Sequence, residues 1–195
     1  MAMAKRKYEF RPDNLKATLA SKLYLTPKQR KAILRWFLLC AVLLMASVLQ
    51  DVIFCRFRLF GATTDLVPCA IILICVLLGT NASALFVLLA ALAYQFSGTS
   101  PGYYVIPLIT ILAMLFSMFR ESFLRKSFSS VMLSAGTAVL MYEMLLFVAG
   151  LAFGNTRIDR WSVFFITGGL SLITLPIMYP IVKSIAKIGG ETWKE

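Results

Sequence analysis

Apolar residues fall into six blocks, at 36–54, 66–78, 82–96, 103–119, 128–153 and 161–182, separated by short stretches that carry almost all the charge. Uninterrupted apolar runs of this kind read as membrane-spanning helices. Upstream of the first block, Thr26-Pro27-Lys28-Gln29 offers a capping threonine, a proline at the first helical position and a glutamine at the third. A helix is therefore expected to start at Pro27 and run on into the block. The second and third blocks are short: at about 1.5 Å per residue, the block at 66–78 reaches only about 20 Å, against about 30 Å for a hydrocarbon core. They form either two short helices hinged at Gly79-Thr80-Asn81 or one long tilted span.

Composition supports the membrane reading. Mean hydropathy is +0.81, and 59% of residues are hydrophobic, against roughly 45–50% in soluble domains. Charge then separates the two span counts, because Lys and Arg accumulate on the cytoplasmic side. With six spans and both termini inside, sixteen of the twenty Lys and Arg lie inside, ten of them in the first 35 residues. Only Arg56, Arg58, Arg157 and Arg160 lie outside. Five spans would give twelve against eight, so six is the expected number. The expected organisation is a basic cytoplasmic arm at 1–32 and a six-helix membrane domain at 33–195 with a short basic tail.

In the arm, Leu15, Leu19 and Leu23 recur every fourth residue among Lys16 and Lys22. That spacing fits either an interfacial amphipathic helix on an anionic inner leaflet or a solvated tail. The arm reads as a cytoplasmic flank, not as a nucleic-acid domain. The first block ends at bulky Phe54 and Cys55, which reads as a retained span rather than a cleaved signal peptide. Outer connections at 55–65, 97–102 and 154–160 leave no room for a soluble domain. The chain has four cysteines without C-x-x-C spacing and no histidine, so zinc, haem and histidine-based triads lack their ligands or base. No catalytic set and no cofactor are expected.

Glu143 is the single charge in the block at 128–153 and lies about 4 Å from its midpoint. An acid at that depth costs roughly 2.5–3.5 kcal/mol on insertion scales, so it should face protein rather than lipid. Ser129, Gly136, Glu143 and Gly150 are spaced by seven and share one helical face, a stripe of small residues that admits a close neighbour. Glu143 is then either a structural hydrogen-bonding group, with Tyr142, Tyr94, Gln95 and Thr174 as possible partners, or an acid in a proton or solute path. No second ionisable group is expected at the same depth, which favours the structural role. In the last block Gly168-Gly169 precedes Pro176 and Pro180, and a bend is expected there. The run Gly98-Thr99-Ser100-Pro101-Gly102 is a turn leading to the interfacial pair Tyr103-Tyr104.

Three stretches taken together, LFGATTDL at 59–66, SGTSPGYY at 97–104 and MYEMLLF at 141–147, resemble the MreD family, the small membrane subunit of the bacterial rod-shape machinery. The resemblance covers about residues 36–187. Gly61, Asp65 and Leu66 look like the family's G-x-x-P-D-L turn, with Thr64 at the usual proline. Gly98, Pro101 and Gly102 look like its S-G-x-P-x-G turn, and Tyr142 and Glu143 match a tyrosine-glutamate pair in the fifth span. Gln95 stands where many relatives have an acid. The resemblance implies a non-enzymatic scaffold in the bacterial inner membrane that binds MreC and works with MreB, RodA and a class B penicillin-binding transpeptidase in lateral peptidoglycan synthesis. It also implies a fold similar to the S component of energy-coupling-factor vitamin transporters. The competing expectation is a solute-binding subunit of that kind, with a pocket under the outer loops lined by Tyr103, Tyr104, Asp65, Asp159 and Trp161. An intramembrane enzyme is disfavoured by the lack of histidines and of paired deep carboxylates.

Overall fold

The computed structural model describes residues 27–56, 61–98, 100–124 and 127–188. The basic arm up to residue 26, with Leu15, Leu19 and Leu23, lies outside the described residues, as do Arg58, Arg125, Lys126 and Lys194 of the charge balance. All regular structure among the described residues is helical. Helix α1 spans Pro27–Leu49 and continues as a π-helical turn over Gln50–Phe54; α2 is Leu66–Leu78, α3 Thr80–Phe96, α4 Val105–Phe123 and α5 Phe128–Ala152. A 3-10 turn, Ile158–Arg160, leads into α6, Trp161–Ala186. Four stretches are long and apolar enough to cross a membrane: Gln29–Phe54, Val105–Phe123, Phe128–Ala152 and Ile158–Ala186.

The short α2 is the axis of the bundle. Every residue from Leu66 to Leu77 is buried, and α2 packs against all five other helices. That explains its composition: a helix apolar on every side is one surrounded by protein or lipid. It also removes the difficulty of its length, since a helix sheathed by longer neighbours need not match the hydrocarbon thickness itself. α1 lies at the periphery, with Phe37, Leu44, Met45 and Val48 on its exposed face.

The 66–78 and 82–96 blocks form two helices rather than one long span. Gly79 sits between them at φ +90°, a backbone conformation that favours glycine. A Cβ there would also strike the Glu121 carboxyl group of α4. Glu121 accepts from the Thr80 backbone N–H and from Thr80 Oγ1, each at 3.2 Å, placing an acid at the N-terminus of α3, where the helix dipole favours it. Deeper in the same junction, Ser117 Oγ donates to Cys75 O at 3.1 Å. At the other end of the chain, α6 runs unbroken through Pro176 and Pro180, both on its exposed face.

Candidate functional site

At the end of the bundle opposite the Gly79 junction, the turns before α2 and α4 meet the first halves of α5 and α6 read from that end. Asp65 is the residue immediately before α2, a position where aspartate ordinarily accepts from the N–H groups of its own helix. Here its side chain makes no such bond. The cap comes from another helix: Gln50, buried in the π turn of α1, accepts the Val67 N–H on Oε1 at 2.9 Å. Pro68, next in the turn, has no N–H to satisfy. The Asp65 backbone is held from α6, its N–H donating to Ser171 Oγ at 3.1 Å. With its helix capped by Gln50, the Asp65 carboxyl turns to Glu143 of α5 instead, and the two side chains lie within hydrogen-bonding reach of each other.

Glu143 is 3% exposed. Its Oε1 has no hydrogen-bond partner, and neither has the buried hydroxyl of Tyr142 beside it in sequence. The helix that receives Glu143 is the chain's own α6. A Cβ on Gly168 would lie 3.5 Å from Glu143 Cγ and 3.3 Å from Leu140 Cδ2, and one on Gly136 would lie 3.2 Å from Leu172 Cδ2. Gly136 and Gly168 thus set the close approach of α5 and α6. The seven-residue stripe divides in its use. Gly150 faces its own C-terminal turn, its carbonyl accepting from Asn155 N at 2.8 Å and Thr156 N at 3.1 Å, while Ser129 is exposed.

The two carboxyls line a cavity of about 240 Å³ together with Gly61, Thr63, Tyr94, Pro101, Leu146, Val163, Phe164 and Thr167. Gly61 and Pro101 at its rim are exposed, and Tyr94, Glu143, Leu146 and Thr167 at its floor are buried. Among the described residues no Lys or Arg lines it. The turn glycines shape the rim: Gly61 adopts φ +82° and Gly98 φ +77°. Gly102 leaves room for the Tyr104 ring, which a Cβ would meet at 2.6 Å, and that ring stacks on Phe153 at 5.4 Å between centroids.

The residues singled out from sequence are therefore drawn together unevenly. Gly61, Asp65, Pro101 and Glu143 share one cavity, Tyr142 stands behind it, Gly98 and Gly102 shape the adjacent turn, and Gly136 and Gly150 serve packing. One expectation needs correction: Glu143 is not alone, because Asp65 reaches it. Of the residues expected in a pocket under the outer loops, Asp65 lines this cavity, Asp159 lines a different one with Arg157 and Arg160, and Tyr103 is 85% exposed. Of the partners considered for Glu143, Tyr94 shares its cavity, whereas Gln95 accepts from Ser100 Oγ and Thr174 donates to Ser171 O. Thr63 and Leu146 lie within the stretches that resemble MreD without being singled out, and Val163, Phe164 and Thr167 carry no sequence signal of a site. Among the described residues no group of three or more acidic, cysteine or histidine side chains is arranged to hold a metal ion. Set against protein-family models, curated proteins and solved structures, the chain matches none.

Proposed function

We propose that this chain is a six-span protein of the bacterial inner membrane with both termini cytoplasmic, acting as a non-enzymatic scaffold subunit of the rod-shape complex. In this reading it binds MreC directly and supports lateral peptidoglycan synthesis and cell shape alongside RodA, the penicillin-binding transpeptidase and MreB. One observation carries the reading. The three stretches that resemble MreD lie far apart in sequence, yet Gly61, Asp65, Pro101 and Glu143 from all three border one cavity. Residues shared with a family for a common purpose are expected to converge, whereas chance matches scatter. The sixteen-to-four division of Lys and Arg supports the orientation; with that orientation the cavity mouth would lie on the outer face, where MreC's transmembrane helix and adjoining outer segment would approach.

Depletion of the protein in its host, where no redundant copy exists, is expected to abolish rod shape, and MreC is expected to co-purify with it in detergent. Photocrosslinkers placed along α5 and in the turns at 61–65 and 100–104 should capture MreC in cells. Normal width and elongation after depletion would overturn the proposal. The cavity itself favours a second reading, a substrate-binding S-component-like subunit of a vitamin or small-solute transporter. A bound small molecule released from the purified protein and identified by mass spectrometry, with no capture of MreC, would select that reading.

A further inference from the structure

The floor of the cavity presents an imbalance of charge and hydrogen bonding. As carboxylates, Asp65 and Glu143 only accept hydrogen bonds, yet they face each other, and Glu143 Oε1 has no donor. Among the described residues the other polar groups around them carry no positive charge: Thr63 and Thr167 line the cavity, Tyr94 of α3, Tyr142 of α5 and Cys69 of α2 are close enough to act electrostatically, and Gln50 and Asp51 lie near Tyr94. Among the described residues no cationic side chain lines the cavity. A buried acid pair of this kind is relieved by a positive charge carrying several N–H donors.

The cavity also has a shape. Its volume of about 240 Å³ equals roughly eight waters at about 30 Å³ each, far more than one bare ion occupies. Its apolar lining is Leu146, Val163 and the ring of Phe164, with Tyr94 beside the acids. A hard divalent cation would seek six or more oxygen ligands, and the cavity offers two carboxyls and two threonine hydroxyls. Acids, aromatic rings and apolar side chains lining one cavity match a nitrogen cation on a short carbon chain, whose head is held by the carboxylates and ring faces and whose stem lies against the apolar lining.

We infer that the Asp65–Glu143 cavity is a binding site for an ammonium or guanidinium group on an alkyl stem, delivered either by a free small amine or by a Lys or Arg side chain of a partner entering between the Gly61 and Pro101 turns. The inference is independent of the rod-complex reading, since it concerns only the chemistry of the occupant.

The test uses the purified full-length protein in detergent, with n-butylammonium and n-butylguanidinium as probes and n-butanol as the neutral analogue. Calorimetric titration and thermal melting should show saturable binding of at least one cation and none of the alcohol. Glu143→Gln and Asp65→Asn should each weaken that binding on the order of tenfold or more, the loss expected when a charge-assisted hydrogen bond goes. Asp159→Asn, in the separate cavity with Arg157 and Arg160, should leave it unchanged. Circular dichroism melts identify which acid-site variant is folded, and either one suffices. No saturable binding of either cation, equal binding of butanol, or full affinity in a folded acid-site variant would overturn the inference. Carbodiimide coupling in native membranes then distinguishes the sources of an amine. A low-mass amide adduct on Asp65 or Glu143 identifies a free amine, and a conjugated polypeptide identifies a partner's lysine; either product supports the site.

Discussion

Glu143 is held in place by its neighbours rather than by its charge. Gly168 opposes its Cβ and Cγ, and the carboxyl reaches Asp65. Two facing acceptors need a donor between them, so the requirement at position 143 is polarity with an N–H or O–H to offer. Glu143→Gln is expected to leave the unliganded protein as stable as wild type, because its amide donates to Asp65. Glu143→Leu withdraws the polar partner of Asp65 within the cavity and should cost about 1–3 kcal/mol, the usual penalty for stranding a polar group. Detergent melts of the two variants decide the matter, and a leucine variant as stable as the glutamine one would refute it. In a double-mutant cycle with Asp65→Asn, the leucine penalty should shrink by about 0.5–3 kcal/mol, as expected for residues in contact. The acid at 143 and its orientation towards protein were legible from one charge in a long apolar block. Its partner was not read, although a physical clue existed. A 13-residue helix reaches about 20 Å, so the aspartate at its end need not lie at the membrane surface.

At the scale of elements, the bundle depends on what happens at the ends of α2. Its N-terminus is capped across the chain by Gln50, and its C-terminus turns at Gly79 against Glu121. Gln50→Leu keeps the apolar volume but removes the acceptor for the Val67 N–H, a buried hydrogen bond of 2.9 Å; a loss of about 1–3 kcal/mol is expected, with the earliest hydrogen exchange at the start of α2. Unchanged protection there would show that water replaces the side chain. Gly168→Leu should be worse than Gly168→Ala, because the larger side chain must displace Leu140 and Glu143 from a contact already at 3.3 Å for a bare Cβ; overpacking of this kind costs about 1–3 kcal/mol. Helix positions were largely readable. The block at 66–78 coincides with α2, and the helix start at Pro27 follows from its local chemistry. Several boundaries differ, because hydrophobicity records burial rather than hydrogen bonding. α3 begins at Thr80, before its apolar run, once Glu121 caps it, and α4 continues past residue 119 to Phe123 because Arg120 and Glu121 are accommodated at the Gly79 junction. The cap by Gln50 had no sequence signature, since it joins residues seventeen positions apart through a π turn.

For the molecule as a whole, the consequence of the fold that matters most is which face the cavity opens on. Its rim belongs to the turns at 61–65 and 100–104, at the same end as Cys55, while the Gly79 junction and Ser127 lie at the other end of the spanning helices. Cys55 and Cys40 are exposed, whereas Cys69 and Cys75 are buried. Cys40 falls within the apolar length of α1, where a charged reagent does not penetrate, so Cys55 is a natural reporter of sidedness. The six-span orientation predicts that a membrane-impermeant maleimide labels Cys55 in intact spheroplasts, and that labelling disappears in Cys55→Ser. In the Cys55→Ser background, Ser127→Cys should react only after the membrane is permeabilised, because its loop carries Arg120, Arg125 and Lys126 and belongs inside by the positive-inside rule. The reverse pattern would put the acid pair on the cytoplasmic side and remove the outer approach proposed for MreC. Labelling of both positions from outside would mean an even number of crossings between them. α2 and α3 would then count together as one crossing, and the charge balance that favours six spans would have misled.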